Sequence, residues 1–381
     1  MIIYSLILLI RVSLSSLSES PLYDVFKRYV QEYNKTYISP IEESYRYRVF
    51  CSNIGEINRE LRKGVSYDIG INNFTDWTWK EFENRYLSAS NDAFSTNRLL
   101  QQDIKWEFSD EFTSNFFKSL PKNILTPQRL NTSTPQQLNT STPQHLNTST
   151  PQHLNNSTAQ QLNPSTFLRR VSHRNSTTSI KDQKSCSACY AFAAITCLES
   201  LFNLTESDSL SAQQLLDCST SDDGCKGGSP LSSLRYIQSS GLHTAVEYPY
   251  KAQRSLCRPP PRLPKVREGS FRISPVRPSV LSILRALHSG PVAVTHVATP
   301  RLKAYKGGVF TDLDCSGPIN HSTALIGFDL DSPIPFFEVK NAWGSQWGEE
   351  GFYRIPIGEL SEGNPGFCRM MEGDVIVRVT L

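Results

Sequence analysis

Lys181-Asp182-Gln183-Lys184-Ser185-Cys186-Ser187-Ala188-Cys189-Tyr190-Ala191-Phe192 puts a glutamine, two cysteines and an aromatic at the mouth of an apolar run. That run, Ala191-Phe192-Ala193-Ala194-Ile195 with Leu198 and Leu201 beyond, has helical spacing and sets Cys189 in the first turn of a largely buried helix. The positive end of the helix dipole favours a thiolate there. Gln183, a little upstream, can bring a side-chain N–H to the same spot. A nucleophile beside an oxyanion donor is half of an acyl-transfer site. A disulfide or core cysteine fits the same residues, and this stretch alone leaves the two readings level.

The chain around it has 381 residues, enough for one or two domains with real cores. Lys and Arg number 39 against 36 Asp and Glu, a net charge of +3, too balanced to argue for nucleic acid or a membrane surface. Residues 1–20 begin with the apolar run Met1 to Ile10, broken only by Ser5, and continue into small polar residues. The run is short of the ~20 residues a spanning helix needs and reads as a signal peptide. No second long apolar run follows, so no membrane span is expected. Nine cysteines suit the disulfide-permissive secretory pathway, and an odd count leaves at least one thiol unpaired.

Downstream of residue 20, Leu22, Val25, Phe26, Tyr29, Val30 and Tyr33 form one helical stripe. Val49, Phe50, Ile54, Ile57 and Leu61 form a second, on which Glu42 and Arg46 stand four apart and can pair. Gly70-Ile71-Asn72-Asn73-Phe74-Thr75-Asp76 reads as a turn into a short strand, and Trp79 to Tyr86 as a further helix. From Thr126 to Ser165 an octad of the form T-P-Q-x-L-N-x-S recurs. One leucine per octad cannot build a core, so 120–165 is expected to be a disordered linker. It carries glycan acceptors at Asn131, Asn139, Asn147, Asn155 and Asn156; others fall at Asn34, Asn73, Asn175 and Asn203. His145 and His153 read as solvated repeat residues. Beyond the repeats, Val292-Ala293-Val294, Ala324-Leu325-Ile326, Phe336-Phe337-Glu338-Val339 and Val375-Ile376-Val377 are short and β-prone. Helices first and strands later give an α+β arrangement in two packed halves with a cleft between them.

A cysteine nucleophile needs a base, and the base an orienting group. His321, in Asn320-His321-Ser322-Thr323-Ala324, enters an apolar strand; Asn341, in Val339-Lys340-Asn341-Ala342-Trp343-Gly344, follows another. They lie roughly 130 and 150 residues beyond Cys189.

With these stretches the chain resembles the papain-like cysteine peptidases of the cathepsin family, over nearly its whole length apart from the repeats. The resemblance implies the two-lobed α+β papain-like fold, a helical lobe and a β-barrel-like lobe, over 166–381. It implies an inhibitory helical propeptide over 21–119. Cys189 becomes the nucleophile, His321 its thiolate–imidazolium partner, Asn341 the group orienting the imidazole, and Gln183 with the Cys189 N–H the oxyanion hole. A paired imidazolium can hold such a thiol near pKa ~3–4. Trp343 is expected to shield the His–Asn bond. Gly227 and Gly228 would offer backbone to an extended substrate; Ser229, Pro230, Ile319 and Asn320 would line the pocket for the second residue before the cut. Six cysteines alone allow 15 pairings; the resemblance selects Cys186–Cys225, Cys218–Cys257 and Cys315–Cys368, leaving Cys197 a buried thiol. Glu42, Arg46, Phe50, Asn53 and Ile57, then Gly70, Asn72, Phe74 and Asp76, match two motifs of inhibitory propeptides.

Departures cluster at the nucleophile. Ser187 stands where the family has glycine and is expected to narrow the cleft; Ala188, Tyr190, Lys184 and Ala342 also depart from the pattern. The expected protein is a monomeric, lysosomal or extracellular peptidase zymogen. It takes peptide or protein substrates, has its own propeptide as inhibitor, and uses no metal or organic cofactor. The rival is a secreted binding protein on the same fold with weak or lost turnover, a reading that Ser187 and Tyr190 favour.

Overall fold

The structure, a computed structural model, describes residues 21–87, 168–312, 314–358, 366–372 and 376–381. The expected signal peptide at 1–20 and linker at 120–165 lie outside the described residues, as does Val375.

The amino-terminal region is built from α1 (Pro21–Glu32), α2 (Pro40–Arg62), β1 (Asp68–Ile69) and α3 (Trp79–Tyr86). α2 starts where the sequence can satisfy its orphan N–H groups: the Ser39 hydroxyl accepts from the Glu42 N–H, and Pro40 needs no partner. α1 crosses α2 through aromatic rings, Phe26 to Phe50 at 5.4 Å and Tyr29 to Phe50 at 4.9 Å. Leu22 and Leu61, expected on the apolar stripes, are 38% and 48% exposed. Each sits at the end of its stripe, past the reach of the facing helix.

The strand expected after Gly70 lies before it, as β1. Asn72 is the reason: its side-chain carbonyl accepts from the Phe74 N–H (3.0 Å) and its own N–H donates to the Thr75 hydroxyl (2.9 Å). The chain therefore turns instead of extending. The turn delivers Asp76 to a buried anchor, where Tyr29, Tyr37 and Lys35 all donate to its carboxylate. Arg46 reaches the Asp76 carbonyl and pairs with Glu81 at 3.0 Å, closer than the expected Glu42 at 3.9 Å. Asn53 donates to the carbonyls of Thr75 and Trp77. A Thr78–Glu81 capping box then starts α3.

The larger region runs β2 (Arg170–Ser172), α4 (Cys189–Leu201), α5 (Ala212–Cys218), α6 (Pro230–Ser240), β3 (Arg272–Pro275), α7 (Val280–Leu287), β4 (Val292–His296), α8 (Pro300–Lys303), β5 (Tyr305–Gly307), β6 (His321–Asp329), β7 (Phe336–Lys340), β8 (Phe352–Pro356) and β9 (Ile376–Thr380). Among the described residues seven strands form one antiparallel sheet in the order β3-β9-β4-β6-β7-β8, with β2 also on β6. α4 is apolar on every side and buried from Cys189 to Glu199, so it serves as the core of the helical half, with α5 and α6 packed around it. A second core joins the sheet, α7 and the aromatic residues of the amino-terminal region. Close packing is strictest at Gly327, where a Cβ would sit 2.2 Å from the Val171 carbonyl of β2.

Three disulfides close the structure: Cys186–Cys225, Cys218–Cys257 and Cys315–Cys368. β1 pairs antiparallel with β5, so the amino-terminal region is stitched to the larger one by backbone as well as side chains. Among the described residues no helix is long and apolar enough to cross a membrane.

Candidate active site

Cys189 is the first residue of α4 and is fully buried. The N-cap, Ala188, has no side-chain oxygen to take up the first N–H groups, so their partial positive charge stays at the thiol. The Cys186–Cys225 disulfide pins the chain three residues upstream. Cys189 lines a small cavity with Ser322 and Asn341, and α4 lies against β6.

His321 opens β6 and Asn341 follows β7, two neighbouring strands that bring the side chains together. His321 Nε2 lies 3.0 Å from Asn341 Oδ1. That oxygen also accepts the Ala342 N–H at 2.9 Å, so it acts as acceptor and Nε2 carries the proton. Nδ1 is buried and has no hydrogen-bond partner among the described residues. It is the nitrogen left to exchange a proton with a nucleophile. The Trp343 ring centroid lies 4.7 Å from that of the imidazole, tilted by 31°.

Burial pushes His321 well below the ordinary histidine value, His296 adds to this, and the Asn341 bond opposes it. His296 was not anticipated from sequence. It ends β4 directly opposite His321, their rings 5.5 Å apart and nearly perpendicular. Its two nitrogens meet the Val297 carbonyl and the Tyr353 hydroxyl, and burial pushes its pKa down to about 4. The expected strand stopped at Val294; carrying it two residues further would have included His296, but its partner across the sheet is a matter of register.

Gln183 is fully buried, and its Nε2 donates to the Cys186 carbonyl (2.8 Å) and to the Tyr86 carbonyl (2.9 Å). Tyr86 ends α3, so this is a helix C-terminal carbonyl with no partner inside its helix and partial negative charge. An anion-like oxygen from the amino-terminal region thus occupies the amide donor expected to meet an oxyanion.

Asn341 orients the imidazole of His321 and lines one cavity with Cys189, while the last residue of α3 lies against Gln183. The family described as "Papain family cysteine protease" matches residues 163–375, and the "Cathepsin propeptide inhibitor domain (I29)" matches residues 26–82. The chain belongs to the papain family of cysteine proteases. Chymopapain of Carica papaya is 26% identical over 351 residues, 91% of this chain and 84% of that protein. The viral cathepsin of Mamestra configurata nucleopolyhedrovirus is 29% identical over 359 residues, 93% and 89% of the two. The solved recombinant stem bromelain precursor superposes with a TM-score of 0.70 at 26% identity, over 95% of this chain and 99% of that one. The chain is a cysteine-type peptidase carrying a propeptide inhibitor domain.

Several of this papain-family chain's departures have structural accounts. Lys184 adopts φ 51°, the left-handed region a glycine takes freely, and its side chain is exposed, so it does not crowd Gln183. Tyr190 donates its hydroxyl to the Gly224 carbonyl at 3.0 Å. Its ring lies against Gly228, where a Cβ would come within 2.7 Å of it. Ser187 is buried and donates to the Leu87 carbonyl at 2.8 Å, so its hydroxyl meets the amino-terminal region. Ala342 is buried and gives its N–H to Asn341.

Among the residues expected to meet substrate, Gly227 and Gly228 are buried, Gly228 against Tyr190. Ser229 caps α6 and donates its N–H to Asp222, with Pro230 at the first helical position. Ile319 is half-buried, while Asn320 is held by its Oδ1 to the Ala298 N–H at 2.7 Å. A cavity of about 540 Å³ lies elsewhere, between α2 and Arg301 and Lys303, and contains none of the catalytic candidates. Among the described residues no group of three His, Cys, Asp or Glu is placed to hold a metal.

Proposed function

We propose that the chain is the zymogen of a cathepsin O-like endopeptidase, with the propeptide over 21–119 and the peptidase domain over 166–381. Cys189 attacks the scissile carbonyl as a thiolate, His321 Nδ1 gives its proton to the leaving amine, and the peptide's acyl part remains on sulfur as a thioester. A water deprotonated at the same Nδ1 then attacks the thioester, releases the acid and restores the thiolate–imidazolium pair. Gln183 Nε2 and the Cys189 N–H stabilise the oxyanion in both halves. The observation carrying this reading is the His321 Nε2 bond to Asn341 Oδ1, which leaves Nδ1 unpartnered.

In the closed zymogen burial holds His321 neutral, and the Tyr86 carbonyl occupies Gln183. Departure of the propeptide frees the amide and readmits water, so that the ion pair can form. Ion pairs that tie the propeptide down, such as Glu60 to Arg301 at 3.1 Å, weaken as carboxylates protonate, which suits activation in an acidic compartment. Three disulfides support passage through the secretory pathway, with a lysosomal or extracellular destination. The finer likeness to cathepsin O rests on Leu210 to Cys218, Glu247 to Cys257, and Asn320-His321 with Gly327-Phe328-Asp329.

The test is hydrolysis of a peptide library by acid-matured protein, side by side with authentic cathepsin O and with the Cys189→Ala protein. Cleavage lost in Cys189→Ala, with a preference matching cathepsin O, supports the proposal. Cleavage that survives the substitution overturns the mechanism, and a chymopapain-like preference overturns the subfamily assignment.

A further inference from the structure

Ser187 stands two residues before the nucleophile and is 2% exposed. Its backbone is fixed twice, by the neighbouring Cys186–Cys225 disulfide and by its own N–H to the Cys225 carbonyl at 3.1 Å. Its hydroxyl makes one hydrogen bond among the described residues, to the carbonyl of Leu87. Leu87 leaves the end of α3 in an extended conformation, φ −113° and ψ 149°. Its carbonyl and that of Tyr86 are consecutive, and the side chains of Ser187 and Gln183 hold one each.

We propose that Ser187 is a backbone-gripping residue of the cleft: its hydroxyl holds the Leu87 carbonyl in the zymogen and an extended substrate's backbone carbonyl after maturation. The inference rests on the peptidase reading of the site but not on its details. A peptide carbonyl is present at every residue, so a hydroxyl that reads it accepts any sequence and fixes the path of the chain. The hydroxyl must find such an acceptor, because a buried donor left unpaired is costly. Gln183 holds the carbonyl next to it, so two adjacent peptide units are fixed in one orientation. A glycine here would leave that second carbonyl without a side-chain donor. Ser187 therefore strengthens both inhibition by the propeptide and capture of extended substrates, and it does so through its oxygen, not its bulk.

Two arms test this. In a full-length Cys189→Ala background, amide exchange of residues 82–87 should speed up about tenfold when Ser187 is changed to Ala, and equally when it is changed to Gly. In matured, otherwise native enzyme, both substitutions should lower kcat/KM for an extended hexapeptide about fivefold to tenfold, mainly through KM. Unchanged exchange in the first arm overturns the grip on the propeptide. An Ser187→Ala protein that behaves like the parent while Ser187→Gly alone differs assigns the effect to the Cβ and overturns the proposal. The exchange arm needs no turnover, so it decides the grip even where the catalytic reading fails.

Discussion

Phe82 of the propeptide meets Trp343 of the peptidase edge-on, ring centroids 4.8 Å apart at 89°. Trp343 in turn lies against His321, so one indole touches both the propeptide's aromatic group and the imidazole. Phe74 and Tyr86 complete the aromatic group around Phe82, at 5.0 and 5.1 Å. Phe82 is fully buried. Its replacement by alanine should cost about 3–5 kcal/mol, much of it lost from the propeptide's hold. The full-length Phe82→Ala protein should therefore mature at a higher pH than the parent, as read by the appearance of the shorter chain on a gel across a pH series.

Acid should loosen the propeptide through Glu81. Burial pushes this carboxyl up, but the Thr78 N–H and hydroxyl and the Arg46 guanidinium outweigh it, and the net shift is downward. A carboxyl depressed in the folded state contributes its full stability above its ordinary value, about 4.5, and loses it as the pH falls through the lower folded value. Glu81→Ala should thus destabilise the full-length Cys189→Ala protein by about 1 kcal/mol at pH 7, with the gap closing towards pH 3. Thermal unfolding at pH 7, 5 and 3 measures it.

Thiol chemistry should single out one cysteine in the matured enzyme. Six cysteines are tied in disulfides and Cys51 leaves with the propeptide. Cys197 is fully buried, and burial pushes its thiol up to about 12, so it presents almost no thiolate at pH 8. Peptide mapping after alkylation without reductant should find the label on Cys189 alone.

Removal of the imidazole should cost more than removal of its orienting partner. His321→Ala deletes the proton carrier and should lower kcat about 10²–10⁴-fold. Asn341→Ala leaves the imidazole but releases Nε2 from its 3.0 Å acceptor, so its loss should be smaller. Steady-state kinetics of the two matured variants gives the order.

Local pattern made much of this molecule legible before its fold was known. The apolar spacing after Cys189 marks α4 because that helix is buried on every side, and the β-prone runs in β4 and β6 mark strands for the same reason. What pattern could not give was partnership between distant segments. His296 faces His321 only through the register of β4 on β6. β1 is two residues long and exists because β5 lies beside it. The turn at Asn72 displaced an expected strand because one amide side chain made better use of the local N–H groups than a neighbour strand could. Ser187 looked like an obstruction, since the acceptor for its hydroxyl lies 100 positions away in the chain.

If Cys189 and His321 act as one ion pair, the alkylation rate of matured enzyme against pH must show it. Alkylation of Cys189 should already be fast at pH 5 and strongly slowed by His321→Ala. A rate that stays low at pH 5 and climbs only towards the ordinary thiol value of about 8.5, the same with or without His321, would contradict it.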